Sequence, residues 1–116
     1  MRDDRAYIKR ILRYCSQIED DRERFGPDED SYFEDGSYQR STDMSLQQIG
    51  ETVNKLSAEF KEEHDGIEWD AVIGFRNIIA HRYEWLDRGR IWMIMCVDIP
   101  ELKRYCERIL QGAPER

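Results

Sequence analysis

Apolar residues in this chain recur at steps of three and four, and no stretch alternates convincingly with a period of two. Leu46, Ile49, Val53, Leu56 and Phe60 alternate the two steps in strict order, the stripe expected of a helix packed in an antiparallel bundle. Ile8, Ile11, Leu12, Cys15 and Ile18 repeat the pattern and predict a first helix from about Asp4 to Arg24. Gly50 falls inside the second stripe, where a glycine costs about 1 kcal/mol relative to Ala. The expected compensation is close approach of a neighbouring helix.

Breakers divide the rest. Gly26-Pro27 ends the first helix, and residues 26–37 read as an acidic loop, with Tyr32, Phe33 and Tyr38 as its anchors to the bundle. A long second helix is expected from about Tyr38 to Glu63, then a break at Asp65-Gly66. A third helix runs from about Glu68 to His81, with Trp69, Val72, Ile73, Ile79 and Ala80 inward. Residues 83–89 read as a turn in which Trp85 and Leu86 pack. Ile91, Trp92, Ile94, Met95 and Val97 mark a fourth helix. Pro100 and Glu101 suit the first turn of a last one, which carries Leu102, Tyr105, Cys106, Ile109 and Leu110. A chain of 116 residues makes one domain, residues 1–116. The expected fold class is all-α, an up-and-down bundle of about five helices.

With 40% apolar and 37% charged residues, the surface is heavily charged and the core modest. No apolar run approaches the ~18–20 residues of a membrane span. The amphipathic start is no secretory signal, and three cysteines without a CxxC pair (Cys15, Cys96, Cys106) read as buried thiols in a reducing cytoplasm. The net charge of -7 opposes nucleic-acid binding only if it is evenly spread. It is not: the segment Glu19–Asp35 holds nine acids against Arg22 and Arg24, which accounts for the whole excess. Basic groups elsewhere remain able to track phosphates: Arg2, Arg5, Lys9, Arg10 and Arg13 on the first helix, and Arg82, Arg88 and Arg90 after the third. Each set also reads as a solvated helix face.

Several chemistries lack their residues. Neither GxxxxGK[ST] nor GxGxxG is present, and no HExxH or Cys/His cluster offers metal ligands. His64, in Glu62-Glu63-His64-Asp65, reads as a helix-end residue. What remains is Arg76-Asn77-Ile78-Ile79-Ala80-His81-Arg82-Tyr83. Arg holds a phosphate by paired hydrogen bonds, and His moves a proton near neutral pH. Asn77 and His81 share a helix face, whereas Arg76 and His81 stand roughly 140° apart around the axis. Arg76 and His81 focus on one point more readily if the helix ends near His81 or if a second copy of the chain completes the site. A metal-free His and Arg suit attack on RNA, whose 2′-OH is an internal nucleophile. The alternative is that Arg76 and Asn77 brace the helix while His81 closes its C-terminus, where imidazolium is favoured.

Arg76-Asn77, His81 and Tyr83 match the R-N-x-x-x-H-x-Y signature of HEPN domains of the HepT-like toxin family, which the chain resembles from about Tyr38 to Leu110. Leu46-Gln47-Gln48-Ile49-Gly50-Glu51, Trp69, Phe75-Arg76-Asn77 and Asp98-Ile99-Pro100-Glu101-Leu102 carry the resemblance further. Arg82 departs from the acidic residue expected between His81 and Tyr83. The resemblance implies a homodimer with the motifs facing across a cleft, and a metal-independent endoribonuclease acting as the toxin of a type VII-like toxin–antitoxin pair. Arg76, Asn77 and His81 would be catalytic, and no cofactor is implied. The implied partner is an MntA-like minimal nucleotidyltransferase that neutralises the toxin by attaching AMP to Tyr83. Some HEPN-like domains are instead non-catalytic nucleotide- or substrate-binding companions of nucleotidyltransferases.

Overall fold

A computed structural model describes residues 2–81 and 87–112, the side chains of residues 2, 80 and 81 excepted. Its elements are α1 (Arg2–Phe25), α2 (Glu29–Glu34), α3 (Gly36–Val53), α4 (Ala58–Glu63), α5 (Trp69–His81), α6 (Arg88–Met93), a π-helical turn (Ile94–Asp98) and α7 (Ile99–Gln111). The described residues form no strand, and the all-α class stands. No described helix is long and apolar enough to cross a membrane.

α3 is the central element, packed on α1 on one side and α5 on the other, while α1 also packs on α7. The polar contacts give the directions. The Ser57 amide and hydroxyl, beyond the end of α3, donate to the Asp4 carboxylate at the start of α1 (2.9 and 2.8 Å). The Ser41 hydroxyl, near the start of α3, donates to Asp21 near the end of α1 (3.0 Å). α1 and α3 are therefore antiparallel. So are α1 and α7, joined by Arg5 to the Leu110 carbonyl at one end and Lys103 to Glu19 at the other. The apolar stripes meet inside: Ile8, Ile11, Cys15 and Ile18, Leu46, Ile49 and Val53, and Leu102, Tyr105 and Cys106 are buried. Burial pushes the Cys15 thiol up to about 12 and raises that of Cys106, whereas Cys96 is only half-buried.

Three expectations are corrected. The second helix is not continuous to Glu63; it stops at Val53, and α4 begins after Ser57. The cause is the buried Asp4, whose carboxylate takes the Ser57 amide that a continuous helix would use, while the Ser57 hydroxyl caps α4 through the Phe60 amide (3.1 Å). Burial alone would raise the Asp4 pKa; the hydrogen bonds from the Ser57 amide and hydroxyl oppose it, and the carboxyl is held below its usual range. Second, the acidic segment expected as a loop at 26–37 contains α2 and the first two residues of α3, which Asp35 caps through the Ser37 and Tyr38 amides. Tyr32 and Tyr38 do anchor it, packed on each other and on Trp92, but Phe33 is exposed. Third, the fourth and last helices, read as two, run on continuously. A π turn, with the Ile99 amide bonded to the Ile94 carbonyl, joins α6 to α7 and widens the helix just before Pro100, whose ring a regular helix would not admit there.

Asp21 is buried with one carboxylate oxygen unpartnered among the described residues, and the Thr42 hydroxyl lies beside it without closing a hydrogen bond. Burial raises the Asp21 pKa, partly opposed by Ser41 and Thr42. The folded state thus binds this proton more tightly than the unfolded chain, and Asp21 costs stability as pH rises through its raised value. Asp21→Asn keeps the Ser41 contact and offers Thr42 a donor. The variant is expected to gain about 1 kcal/mol at pH 7.5, or roughly 4 °C in Tm, with the gain shrinking as pH falls into the carboxylate range. Thermal unfolding at pH 7.5 and 4.5 checks it.

Candidate functional site

α5 presents the motif, and its own start is fixed by long-range contacts. The Trp69 indole donates to the His64 carbonyl (2.7 Å), and the Gly66 amide donates to the Tyr105 hydroxyl (3.0 Å). His64 takes the helix-end position expected of it, at the C-cap of α4 with its ring against Phe60. Val72, Phe75 and Ile79 bury one face of α5, which leaves Arg76 half-buried and Asn77 exposed.

Arg76 lies at a close approach of α3 and α5. A Cβ on Gly50 would stand 2.7 Å from the Arg76 Cβ, 3.0 Å from its amide nitrogen and 3.2 Å from the Ile73 carbonyl oxygen. The close approach expected of the interior glycine is thus present, and its neighbour is the motif arginine. The Arg76 Nη1 faces Glu51 Oε1 at 3.6 Å, and its Nε donates to Asn77 Oδ1 at 3.4 Å. The Ile-Gly-Glu segment is legible in the sequence, but the contact of Glu51 with Arg76 arises only from the packing of α3 on α5.

His81 is the last described residue of α5. Its side chain, and the expected roles of Arg82 and Tyr83, lie outside the described residues. The two other cations proposed for RNA part company. Arg90 is exposed and lines a groove of about 400 Å³ with Ile78, Met93 and Gly74, alongside α5. Arg88 turns inward: its Nη1 and Nη2 donate to the Asp43 carboxylate at 2.7 and 3.0 Å, and Nη1 also donates to the Tyr32 hydroxyl at 3.0 Å. Burial works against its charge, but these bonds outweigh burial and raise its pKa further. Arg88 thus serves the fold. The basic residues of α1 are separated from Arg76 by α3, the helix between α1 and α5. Among the described residues, no three His, Cys, Asp or Glu side chains gather as a metal site.

The all-α bundle thus sets the Arg-Asn pair of α5 against the Gly-Glu pair of α3. The family model described as Ribonuclease HepT-like matches residues 6–109, and the chain belongs to that family. It is 32% identical over 112 residues to the Caldanaerobacter subterraneus protein named Putative RNase TTE0752, covering 96% of this chain and 97% of that one. It is 27% identical over 117 residues to the Methanocaldococcus jannaschii protein named Putative RNase MJ0125, covering 99% and 97%. A third relative, the same archaeon's Gamma-glutamylcyclotransferase and putative RNase MJ0434, is 29% identical over 112 residues, 95% of this chain but 49% of the longer protein. No solved structure matches the chain.

Proposed function

We propose that this protein is a metal-independent endoribonuclease, the toxin of a type VII-like toxin–antitoxin pair acting in the cytoplasm. Arg76 stabilises the charge of the phosphorane, Asn77 orients the phosphate or His81, and His81 transfers the proton. Two copies of the chain meet so that each supplies part of a composite site, and Arg90 follows the RNA backbone. An MntA-like nucleotidyltransferase silences the toxin by transferring AMP to Tyr83, which sets an anionic group beside the anion-holding arginine.

The observation that carries this reading is the family match, which extends over the whole of Arg76–Tyr83. Pairing is supported by an apolar face beside α5. Met93 and Val97 are 56% and 52% exposed, and Gly74 opens to free space among the described residues.

The test is cleavage of an RNA substrate in EDTA. Arg76→Ala and His81→Ala are each expected to lower kcat about a hundredfold. If the site is composite, mixing the two inactive variants regenerates roughly a quarter of wild-type activity, because half of a random C2 mixture pairs unlike chains and each such pair holds one intact site. Equal cleavage by wild type and both variants would overturn the assignment, as would tight nucleotide binding without cleavage.

A further inference from the structure

Two consecutive residues of α3 set the position of Arg76. Gly50 lets the Arg76 backbone approach to where a Cβ would stand, which fixes the root of the side chain. Glu51 then meets its tip, Oε1 to Nη1 at 3.6 Å. Asn77 takes Nε, so two of the three guanidinium nitrogens are oriented, while Nη2 has no partner among the described residues. Arg76 and Glu51 are 26% and 46% exposed, and a pair so open to water contributes little to stability. Its separation also exceeds the ~2.7–2.9 Å of a strong charge-assisted hydrogen bond. A carboxylate held this loosely does not compete with a phosphate in full contact, but it does restrict the directions in which the guanidinium points.

We propose that Glu51 is a positioning residue for Arg76: it holds Nη1 so that the Nη2 edge faces the RNA phosphate. The proposal rests on the reading of Arg76 as the group that binds the reacting phosphate. It adds a residue of α3 to a site whose sequence motif lies wholly after Phe75.

The experiment is steady-state cleavage of an RNA oligonucleotide by the full chain. Glu51→Ala is expected to lower kcat about tenfold while KM stays within about twofold. Glu51→Gln, which keeps an acceptor oxygen at the same reach, should retain most of the rate. A role confined to folding would lower Tm along with activity; here Tm should stay within about 2 °C. A second readout does not need turnover. The Arg76 Nε–H resonance in nitrogen-15 spectra should be sharp in the wild type and broaden in Glu51→Ala, with Glu59→Ala as a control that leaves it unchanged. An unaltered kcat in Glu51→Ala, with Arg76→Ala inactive, would overturn the positioning role and leave the ribonuclease assignment intact. A lower KM in Glu51→Ala would also overturn it, because Glu51 would then be shielding the arginine. If wild type and Arg76→Ala cleave alike, the assignment itself fails, and an unchanged Arg76 resonance in Glu51→Ala would remove the positioning role as well.

Discussion

Arg88→Ala is expected to destabilise the protein by about 3 kcal/mol, and Asp43→Ala by a similar amount. The two side chains are only 19% and 6% exposed, and they meet through two hydrogen bonds, with a third from Arg88 to Tyr32. Removing Arg88 leaves the Asp43 carboxylate buried without that cation, and removing Asp43 takes the carboxylate from Arg88, beside a Tyr32 ring that packs on Tyr38 and Trp92. Domains of this kind are stable by roughly 5–15 kcal/mol, so the loss is a large part of the whole. In thermal unfolding it should appear as a Tm lower by about 10 °C. The double variant Arg88→Met with Asp43→Leu is expected to recover most of that loss, since it abolishes both charges and keeps the volume. A double variant no more stable than the single ones would show that geometry rather than charge is what matters there.

The second large effect is expected at Gly50. Gly50→Leu would place a branched side chain where the Arg76 amide nitrogen lies 3.0 Å from even a first carbon. That neighbour is backbone and cannot rotate away, so α5 must shift, at a cost of about 3 kcal/mol or more. Gly50→Ala sets two effects against each other. Helix propensity gains about 1 kcal/mol, while overpacking costs about 1–3 kcal/mol. With the Arg76 Cβ at 2.7 Å the cost wins, and the net expectation is a loss of about 1 kcal/mol. RNA cleavage by Gly50→Ala should fall further than its stability suggests, because the residue displaced is Arg76. Urea unfolding and cleavage rates of the same preparations test both halves. A Gly50→Ala protein more stable than wild type would refute the close packing.

The helical class, the bounds of α1, the start of α5 and the close contact at Gly50 could all be read from the sequence, because each follows from local spacing. The misses are long-range. Ser57 breaks a good helical stripe because a carboxylate 53 residues earlier needs its amide. Arg88 reads as a surface cation until Asp43, 45 residues away, is brought to it. Glu51 reads as one acid among many until α3 lies on α5. At the candidate site, motif spacing supplied Arg76, Asn77, His81 and Tyr83, but the neighbours that orient Arg76 came only with the fold. Conversely, the acids of 19–35 read as a local excess of charge, whereas Asp21 is buried and Asp35 caps α3.

The pairing of α1 with α7 also bears on how the chain is made. The first helix synthesised is covered by the last, through Arg5 with the Leu110 carbonyl and Lys103 with Glu19. Until α7 leaves the ribosome, the flank of α1 that includes Cys15 has no cover from it. At ordinary elongation speeds of about 5–20 residues per second, the interval between the two helices lasts on the order of several seconds. α3 and α5, which carry Glu51 and Arg76, emerge within that interval and can dock on each other before the bundle closes. Synthesis in this order therefore allows the contact between Glu51 and Arg76 to form before α1 is fully covered.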